Sequence, residues 1–371
     1  MSASADLPPP DQIAGAPHPR DAARLFGQNA AQADFLDAFA SGRLHHAWLL
    51  TGPPGVGKAT LAWRIARFLL ATPLPGDGVI TDRPTALDIP ADHPVARRVA
   101  AGSEPRLAHI TRSANEKTGR MRTEIVVEDI RKLHRFLALS ATDGGARVVI
   151  VDAADEMNAS AANALLKMLE EPPALTTLLL VSHQPSALLP TIRSRCRVLR
   201  LAPLRAQDMQ AALAQAGTEL SDNPDQLAAL AAGSVGGALR LLNLDGLRLY
   251  HDLVVILGSL PRLDRQRALA LAETAAQRNA AERFDLLLNL IDIALSRLAR
   301  CGATGTPPLP EAARDESAIL SRLAATPAKG RAWADTAATI TARNQHGQAV
   351  NLDPAALVLD TVFRIQKTAQ S

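Results

Sequence analysis

Apolar positions divide the chain into two regions with different periods. Up to about residue 205, short continuous apolar runs alternate with stretches of helical spacing. Ala47-Trp48-Leu49-Leu50, Leu107-Ala108-His109-Ile110, Val148-Val149-Ile150-Val151, Leu178-Leu179-Leu180-Val181 and residues 198–201 read as strands. Between them lie amphipathic segments. One carries Phe35, Leu36 and Phe39 on a single face and stops at Gly42. Residues 58–70 bury Leu61, Ala62, Ile65, Ala66 and Leu69. Residues 127–140 point Ile130, Leu133, Phe136 and Leu137 inward. Residues 159–171, capped by Asn158 and stopped by Pro172-Pro173, present Ala162, Leu165, Leu166 and Leu169 on one face. Strands alternating with helices predict an α/β domain with a parallel sheet covered on both faces.

Beyond Pro203 the chain turns Ala/Leu/Arg-rich and wholly helical in period. Residues 203–244 read as a small helical lid whose last helix opens after Gly233-Ser234 and Gly236-Gly237. Residues 245–371 read as a C-terminal all-α domain, with helices over 247–257, 264–277, 281–300, 311–324 and 354–367. The clearest stripe is Phe284, Leu287, Leu288, Ile291 and Leu295. At the other end, residues 1–20 read as a flexible lead-in, leaving 21–202 for the α/β domain. Six prolines between positions 73 and 105 mark that stretch as an insertion with little regular structure. No internal repeat is visible.

The 371 residues exceed what one core organises, so more than one domain is expected. The chain is 47% hydrophobic and 21% charged, in the range of soluble globular proteins. Aromatic residues make up only 3%, which argues against stacking platforms for single-stranded nucleic acid. A net charge of +3 permits contact with nucleic acid without demanding it. Cys196 and Cys301 are too few for a disulfide framework or a cysteine zinc site. No run approaches a membrane span, and residues 1–20 lack a secretory h-region, so the expected address is cytoplasmic with no membrane contact.

The candidate chemistry centres on Gly52-Pro53-Pro54-Gly55-Val56-Gly57-Lys58-Ala59-Thr60, which sits between a strand and a helix. In the pattern G-x-x-x-x-G-K-[ST], glycines let backbone N–H groups turn around phosphate oxygens. The lysine reaches the β/γ-phosphates, and the last hydroxyl holds Mg²⁺. Gly52, Gly55, Val56, Gly57 and Lys58 supply the cradle. Ala59 stands where the hydroxyl belongs, and Thr60 comes one residue late, about 100° further round the helix. Asp152 ends a buried strand where P-loop enzymes keep their Mg²⁺-binding aspartate. Ala153 follows it in place of the usual catalytic glutamate, and Asp155 reads as a cap or turn residue. A phosphate cradle is predicted; Mg²⁺-dependent hydrolysis is not. Ser182, at a strand end, is open to two readings, sensor of a γ-phosphate or structural hydroxyl. His45-His46 and the basic run Arg112, Lys117, Arg120 and Arg122 fit structural or solvated roles, with phosphate-backbone contact the alternative for the run.

Longer motifs carry a resemblance. Gly27-Gln28, Leu44-His45-His46-Ala47-Trp48 running into the phosphate loop, the run from Ala161 through Asn163, Leu165, Lys167, Glu170 and Glu171 to Pro172-Pro173, and above all Ser194-Arg195-Cys196 resemble the AAA+ subunits of the bacterial DNA polymerase III clamp loader. The likeness covers residues 20–205, with a looser match beyond. Ala59, Ala153 and Gly236 replace the hydroxyl, the acidic residue and the second sensor arginine of the motor subunits, and Arg240 lies one turn further on. The chain therefore resembles the delta-prime branch. That resemblance implies an AAA+ P-loop domain, a ring role without independent ATPase or polymerase activity, and membership of a nucleotidyltransferase holoenzyme. It implies gamma/tau and delta subunits, the sliding clamp and primer–template DNA as partners in a hetero-oligomer.

Arg195, matching the family's Ser-Arg-Cys arginine, would then act in trans on ATP held by a neighbouring motor subunit, while Cys196 is a small packed residue. ATP or ADP, held weakly or without hydrolysis, stays open as a cofactor. Family members often carry a cysteine-ligated zinc module, but 73–105 contains no cysteine, so no zinc is expected. Three rival readings stand: an active ATPase using Thr60 as displaced metal ligand, a small-molecule P-loop kinase, and a scaffold whose Ser-Arg-Cys is unused.

Overall fold

The structure, a computed structural model, describes residues 10–73, 84–115, 117–138, 145–218, 223–275, 277 and 281–370. The chain divides into two compact units, Met1–Thr218 with Gly233–Gly236, and Glu219–Ala232 with Gly237–Ser371.

In the first unit, β1 (Ala47–Thr51), β2 (Leu107–Ile110), β3 (Arg147–Asp152), β4 (Thr176–Ser182) and β5 (Arg197–Arg200) form one sheet. All pairs are parallel, in the order β2-β3-β4-β1-β5. The helices in this unit are α1 (Asn29–Ala40), α2 (Lys58–Ala71), α3 (Pro94–Ala100), α4 (Val127–Ala138), α5 (Ala159–Glu170), α6 (Pro190–Arg193) and α7 (Ala206–Gln215). Both faces of the sheet are buried, which is why its central strands read as unbroken apolar runs. On one face, Leu49, Val149, Val151, Leu178 and Leu180 pack with Ile130 and Leu133 of α4 and Leu165 and Leu169 of α5. On the other, α2 lies against β1, β3 and β4. The α1 helix is fixed by aromatic contacts, with Phe35 5.0 Å from Trp48 and Phe39 4.8 Å from Phe68 between ring centres.

Three sequence expectations need correction here. The proline-rich stretch does hold a helix, α3. Proline is favourable at the first helical position, since its missing N–H has no intrahelical partner there. His93 caps that turn, its Nδ1 accepting from Val95 N at 3.2 Å. Residues 74–83 of the stretch, 139–140 of the predicted 127–140 helix and the first nine residues of the lead-in lie outside the described residues.

The second unit carries α8 (Pro224–Ala231), most of α9 (Val235–Asn243), α10 (Gly246–Ser259), α11 (Arg265–Ala275), α12 (Ala281–Thr304), α13 (Glu316–Leu323), α14 (Pro327–Ala349) and α15 (Pro354–Gln370). The second correction is α14, a helix of 23 residues that the apolar pattern did not predict. Its buried positions are Gly330, Trp333, Ile340, Asn344 and Gly347, too mixed to show as a stripe. Thr326 caps it, accepting from Lys329 N at 3.3 Å, and Pro327 fills the first helical position. The expected helix over 311–324 shortens to α13 because Asp315 takes a left-handed backbone, φ 61°.

Helices α12 and α14 touch through glycine. A Cβ on Gly330 would stand 2.8 Å from Ala303 N, and one on Gly302 would stand 2.5 Å from Gly330 Cα. Backbone cannot yield as a flexible side chain does. Gly330→Val is expected to cost roughly 3 kcal/mol, at the upper end of overpacking penalties, seen as a lower urea midpoint. An unchanged midpoint would mean the two helices can separate freely. No helix among the described residues is long and apolar enough to cross a membrane.

Candidate functional site

The phosphate-loop sequence leaves β1 at the carboxyl edge of the sheet, where α/β proteins bind ligands. Gly52, Gly55 and Gly57 all take left-handed backbones, with φ 146°, 73° and 98°. The requirement is steric at two of them. A Cβ on Gly52 would meet Leu201 O at 2.4 Å, and one on Gly55 would meet Ser234 Oγ at 2.4 Å. Gly57 immediately precedes α2, whose first residues are Lys58, Ala59 and Thr60. Val56 is buried, and its carbonyl accepts from Gln28 Nε2 at 3.1 Å. The same amide donates to Ala202 O at 2.7 Å and accepts from Ala202 N at 3.2 Å. Gln28 thus ties the loop to the chain that follows β5, which gives the Gly27-Gln28 motif a physical reason.

The loop is closed on itself. Lys58 Nζ donates to Gly52 O at 2.7 Å and Pro53 O at 2.6 Å. Burial pushes its pKa down to about 8, against the carboxylates of Asp152 and Asp155. Residues 233–236 cover the loop from outside: Ser234 Oγ donates to Pro54 O at 2.8 Å, and Gly236 N to Gly55 O at 3.2 Å. Gly236 is itself crowded, since a Cβ there would stand 2.8 Å from Ile13 Cδ1 and 3.0 Å from Gly55 Cα. An arginine side chain has no room to start at that position.

Asp152 ends β3, only 9% exposed. Burial pushes its pKa up to about 7, with the carboxylates of Asp11 and Glu156 adding to the rise and Lys58 opposing it. Ala59 brings no oxygen to share a metal with it. Asp155 closes the turn after β4, its carboxylate accepting from His183 N and Gln184 N, both at 3.0 Å. Ser182 is fully buried, and its Oγ has no hydrogen-bond partner. His45 and His46 stack at 4.5 Å and bond to backbone, His46 Nε2 reaching Leu169 O at 3.1 Å. Arg112 pairs with Glu156 at 2.9 Å and Arg122 donates to Ser113 Oγ at 3.0 Å, so two of the four basic positions are engaged within the chain.

Arg195 stands elsewhere. It follows α6, two residues before β5 begins, with its side chain 37% exposed. Nη1 donates to Thr191 O at 3.1 Å, and Nη2 pairs with Glu170 Oε1 at 3.1 Å. Trp48 and Arg197 are register partners in parallel strands, so Arg195 belongs to the amino edge of the sheet and Gly52 to the carboxyl edge. Four strand residues separate the two levels, about 13 Å at ~3.3 Å per residue. Cys196 packs against the core, and burial pushes its pKa up to about 12, which leaves no thiolate for chemistry.

Comparison with known proteins bears on this pair of sites. The family described as "DNA polymerase III, delta subunit" matches residues 27–205. DNA polymerase III subunit delta′ of Pseudomonas aeruginosa is 40% identical over 200 residues, 53% of this chain and 55% of that protein. The Escherichia coli delta′ subunit is 32% identical over 264 residues, 70% of this chain and 72% of that protein. The chain belongs to the DNA polymerase III delta′ family. The match thus spans little more than half of the Pseudomonas relative. A more distant likeness extends to DNA polymerase III subunit tau of Escherichia coli, 29% identical over 281 residues, 73% of this chain and 40% of that protein. The five-stranded parallel sheet with its P-loop turn is the α/β domain with a parallel sheet that the sequence predicts. Gln28, Glu170, Asp11 and His109 are positions the delta′ sequence did not mark out as partners of the site. Glu170 had a local signal, since it lies in the Leu-Glu-Glu-Pro run; Asp11 and His109 had none.

Proposed function

We propose that this chain is a clamp-loader subunit that helps place the sliding clamp on primed DNA, offering Arg195 in trans to ATP on a neighbouring motor subunit. Its own phosphate loop does not turn ATP over. The observation that carries this reading is the separation of Arg195 from the chain's own loop, at opposite edges of one sheet. A guanidinium so placed cannot serve its own Lys58; an adjacent subunit's nucleotide can meet it. A planar, permanently charged fork suits a γ-phosphoryl group.

The loop side supports the same division of labour. Ala59 offers no Mg²⁺ ligand, Ala153 no base, and Lys58 is satisfied by loop carbonyls. The Gly52–Gly57 backbone keeps the shape of a phosphate cradle through Gly55, Val56 and Gly57. ATP or ADP taken up there is held weakly, with Thr60 and Asp152 nearby, and stays intact. In this reading residues 203–244 act as the lid and 245–371 as the collar that joins a hetero-oligomer with gamma/tau and delta in the cytoplasm, with primer–template DNA as the shared substrate. The expected result is no ATP turnover above background by the purified chain with Mg²⁺ and primed DNA, together with restored clamp loading when it completes a delta–gamma assembly. Turnover that disappears in Lys58→Ala would make the chain a motor in its own right and overturn the proposal.

A further inference from the structure

Beneath the residues that lead into α1 lies a second cluster, built from three distant parts of the first unit. Asp11 comes from the chain before α1, His109 from β2 and Asp152 from the end of β3. One ligand atom of each lies within 4.8 Å of the other two. His109 Nε2 is 3.6 Å from Asp11 Oδ2, and His18 Nε2 touches the same oxygen at 2.9 Å. We propose that Asp11, His109 and Asp152 form a binding site for a divalent transition-metal ion, with zinc the best-suited ion.

Three observations carry the assignment. First, the polar atoms are buried and under-satisfied. The Asp11 side chain is 4% exposed, and Asp152 is 9% exposed. His109 Nε2 is buried with no hydrogen-bond partner. Buried polar groups without partners are rare and call for an explanation, an ion among them. Second, two carboxyl groups meet here, with a ligand oxygen of each within 4.8 Å of the other. Lys58 directs its ammonium protons to Gly52 O and Pro53 O. A dication removes the repulsion that two buried carboxylates otherwise suffer. Third, the donor set and its surroundings match. One imidazole nitrogen with two carboxylate oxygens suits zinc better than Mg²⁺, which takes oxygen and water. Metal–ligand arms of ~2.1 Å put donors about 3.4 Å apart in a tetrahedron, close to the 3.6 Å between His109 and Asp11.

The wall around the site is aromatic. Trp63 packs edge-on to His109 at 4.8 Å and to His18 at 5.6 Å. His18, bound to Asp11 but outside the three, is the outer partner that orients a ligating carboxylate. With three protein ligands the ion keeps an open position for water. Its effect on the chain is that of a clasp, fastening the segment around Asp11 to β2 and β3. None of the ligands is a cysteine, so the absence of cysteine from 73–105 has no bearing on this site.

The test uses the full chain, stripped with a chelator and desalted, then titrated with Zn²⁺ against a chromophoric indicator. One equivalent is expected to bind, and to raise the melting temperature. Asp11→Asn and His109→Ala are each expected to weaken binding by about 100-fold or more and to remove the thermal shift. Asn is close to isosteric with Asp, so Asp11→Asn reports on ligation even where His109→Ala unfolds, and the zinc-free melting curve separates the two effects. The stacked pair His45 and His46 is the rival zinc binder, so His45→Gln/His46→Gln is expected to leave binding unchanged. Loss of binding in that double variant, no stoichiometric binding, or full binding by Asp11→Asn would each overturn the proposal.

Discussion

Arg195→Ala is expected to lower hydrolysis at the one ATP site it faces by roughly 10³-fold or more, the lower end of what an arginine finger contributes. The measurement is single-turnover hydrolysis in a reconstituted assembly whose other ATP sites are disabled, because sites served by other arginines would mask the loss. Arg195→Lys should recover little. An ammonium is a compact point charge and lacks the two parallel donors of the guanidinium. The ion pair with Glu170 adds a second arm. Glu170 holds the arginine through Nη2 while Thr191 O holds it through Nη1. Both groups are partly exposed, so the pair itself adds little to folding stability. Glu170→Gln should leave the melting temperature nearly unchanged while altering turnover at the neighbouring site, since it changes how readily the guanidinium is released to phosphate. If Arg195→Ala hydrolyses normally in that assembly, the arginine is a surface ion pair and helix cap, and the scaffold reading takes over.

The second large effect is in the all-helical unit. Arg297→Ala is expected to destabilise it by about 3–5 kcal/mol, the range for breaking a buried ion pair from one side. Glu316 is 1% exposed and accepts from Arg297 Nε at 2.8 Å, Arg297 Nη2 at 2.9 Å, Tyr250 Oη at 2.6 Å and Ala312 N at 2.6 Å. Arg297 also donates to Pro308 O and Pro310 O. Burial first, and the Glu316 carboxylate next, push the Tyr250 phenol well above its ordinary pKa, so it remains a donor at any working pH. Removing the guanidinium leaves a buried charge with two neutral donors. Arg297→Met with Glu316→Gln should recover much of the loss, because the amide can still accept from Tyr250 without carrying a charge. Urea unfolding of the single and double variants checks both statements. Equal losses in the two would mean that packing around Arg297, rather than charge, does the stabilising.

The parts of this molecule that were legible in its sequence are those whose physics is local. A parallel strand buried on two faces must be apolar throughout, so the central strands β1, β3 and β4 were readable as unbroken runs, while the edge strand β5 carries exposed Arg197, Val198 and Arg200. A phosphate loop is written in consecutive residues, so Ala59 at its hydroxyl position could be read there directly, and Ala153 could be read beside Asp152. Asn158 was readable as a cap, and its Oδ1 does accept from Ala161 N at 2.9 Å. What escaped depends on contacts between distant residues. Helix α14 packs through Gly330 against the backbone of α12 and through Gly347 against Leu357, and a glycine that lets a neighbour come this close looks, in sequence, like a weakness in a helix. Helix α3 was hidden by a proline, Pro94, that serves as its start. The Asp11, His109 and Asp152 cluster is assembled by the sheet from positions with no shared spacing, so only the fold brings them together.

Placing Arg195 and the phosphate loop at opposite edges of one sheet gives the subunit a direction, like an arrow with a head and a tail. In any row built by setting such arrows head to tail, each working junction needs a competent loop from one member and an arginine from the next. On the function proposed above, this chain brings the arginine but not the loop and can complete a junction on one side only. It therefore ends the row, and the number of working junctions is one fewer than the number of members.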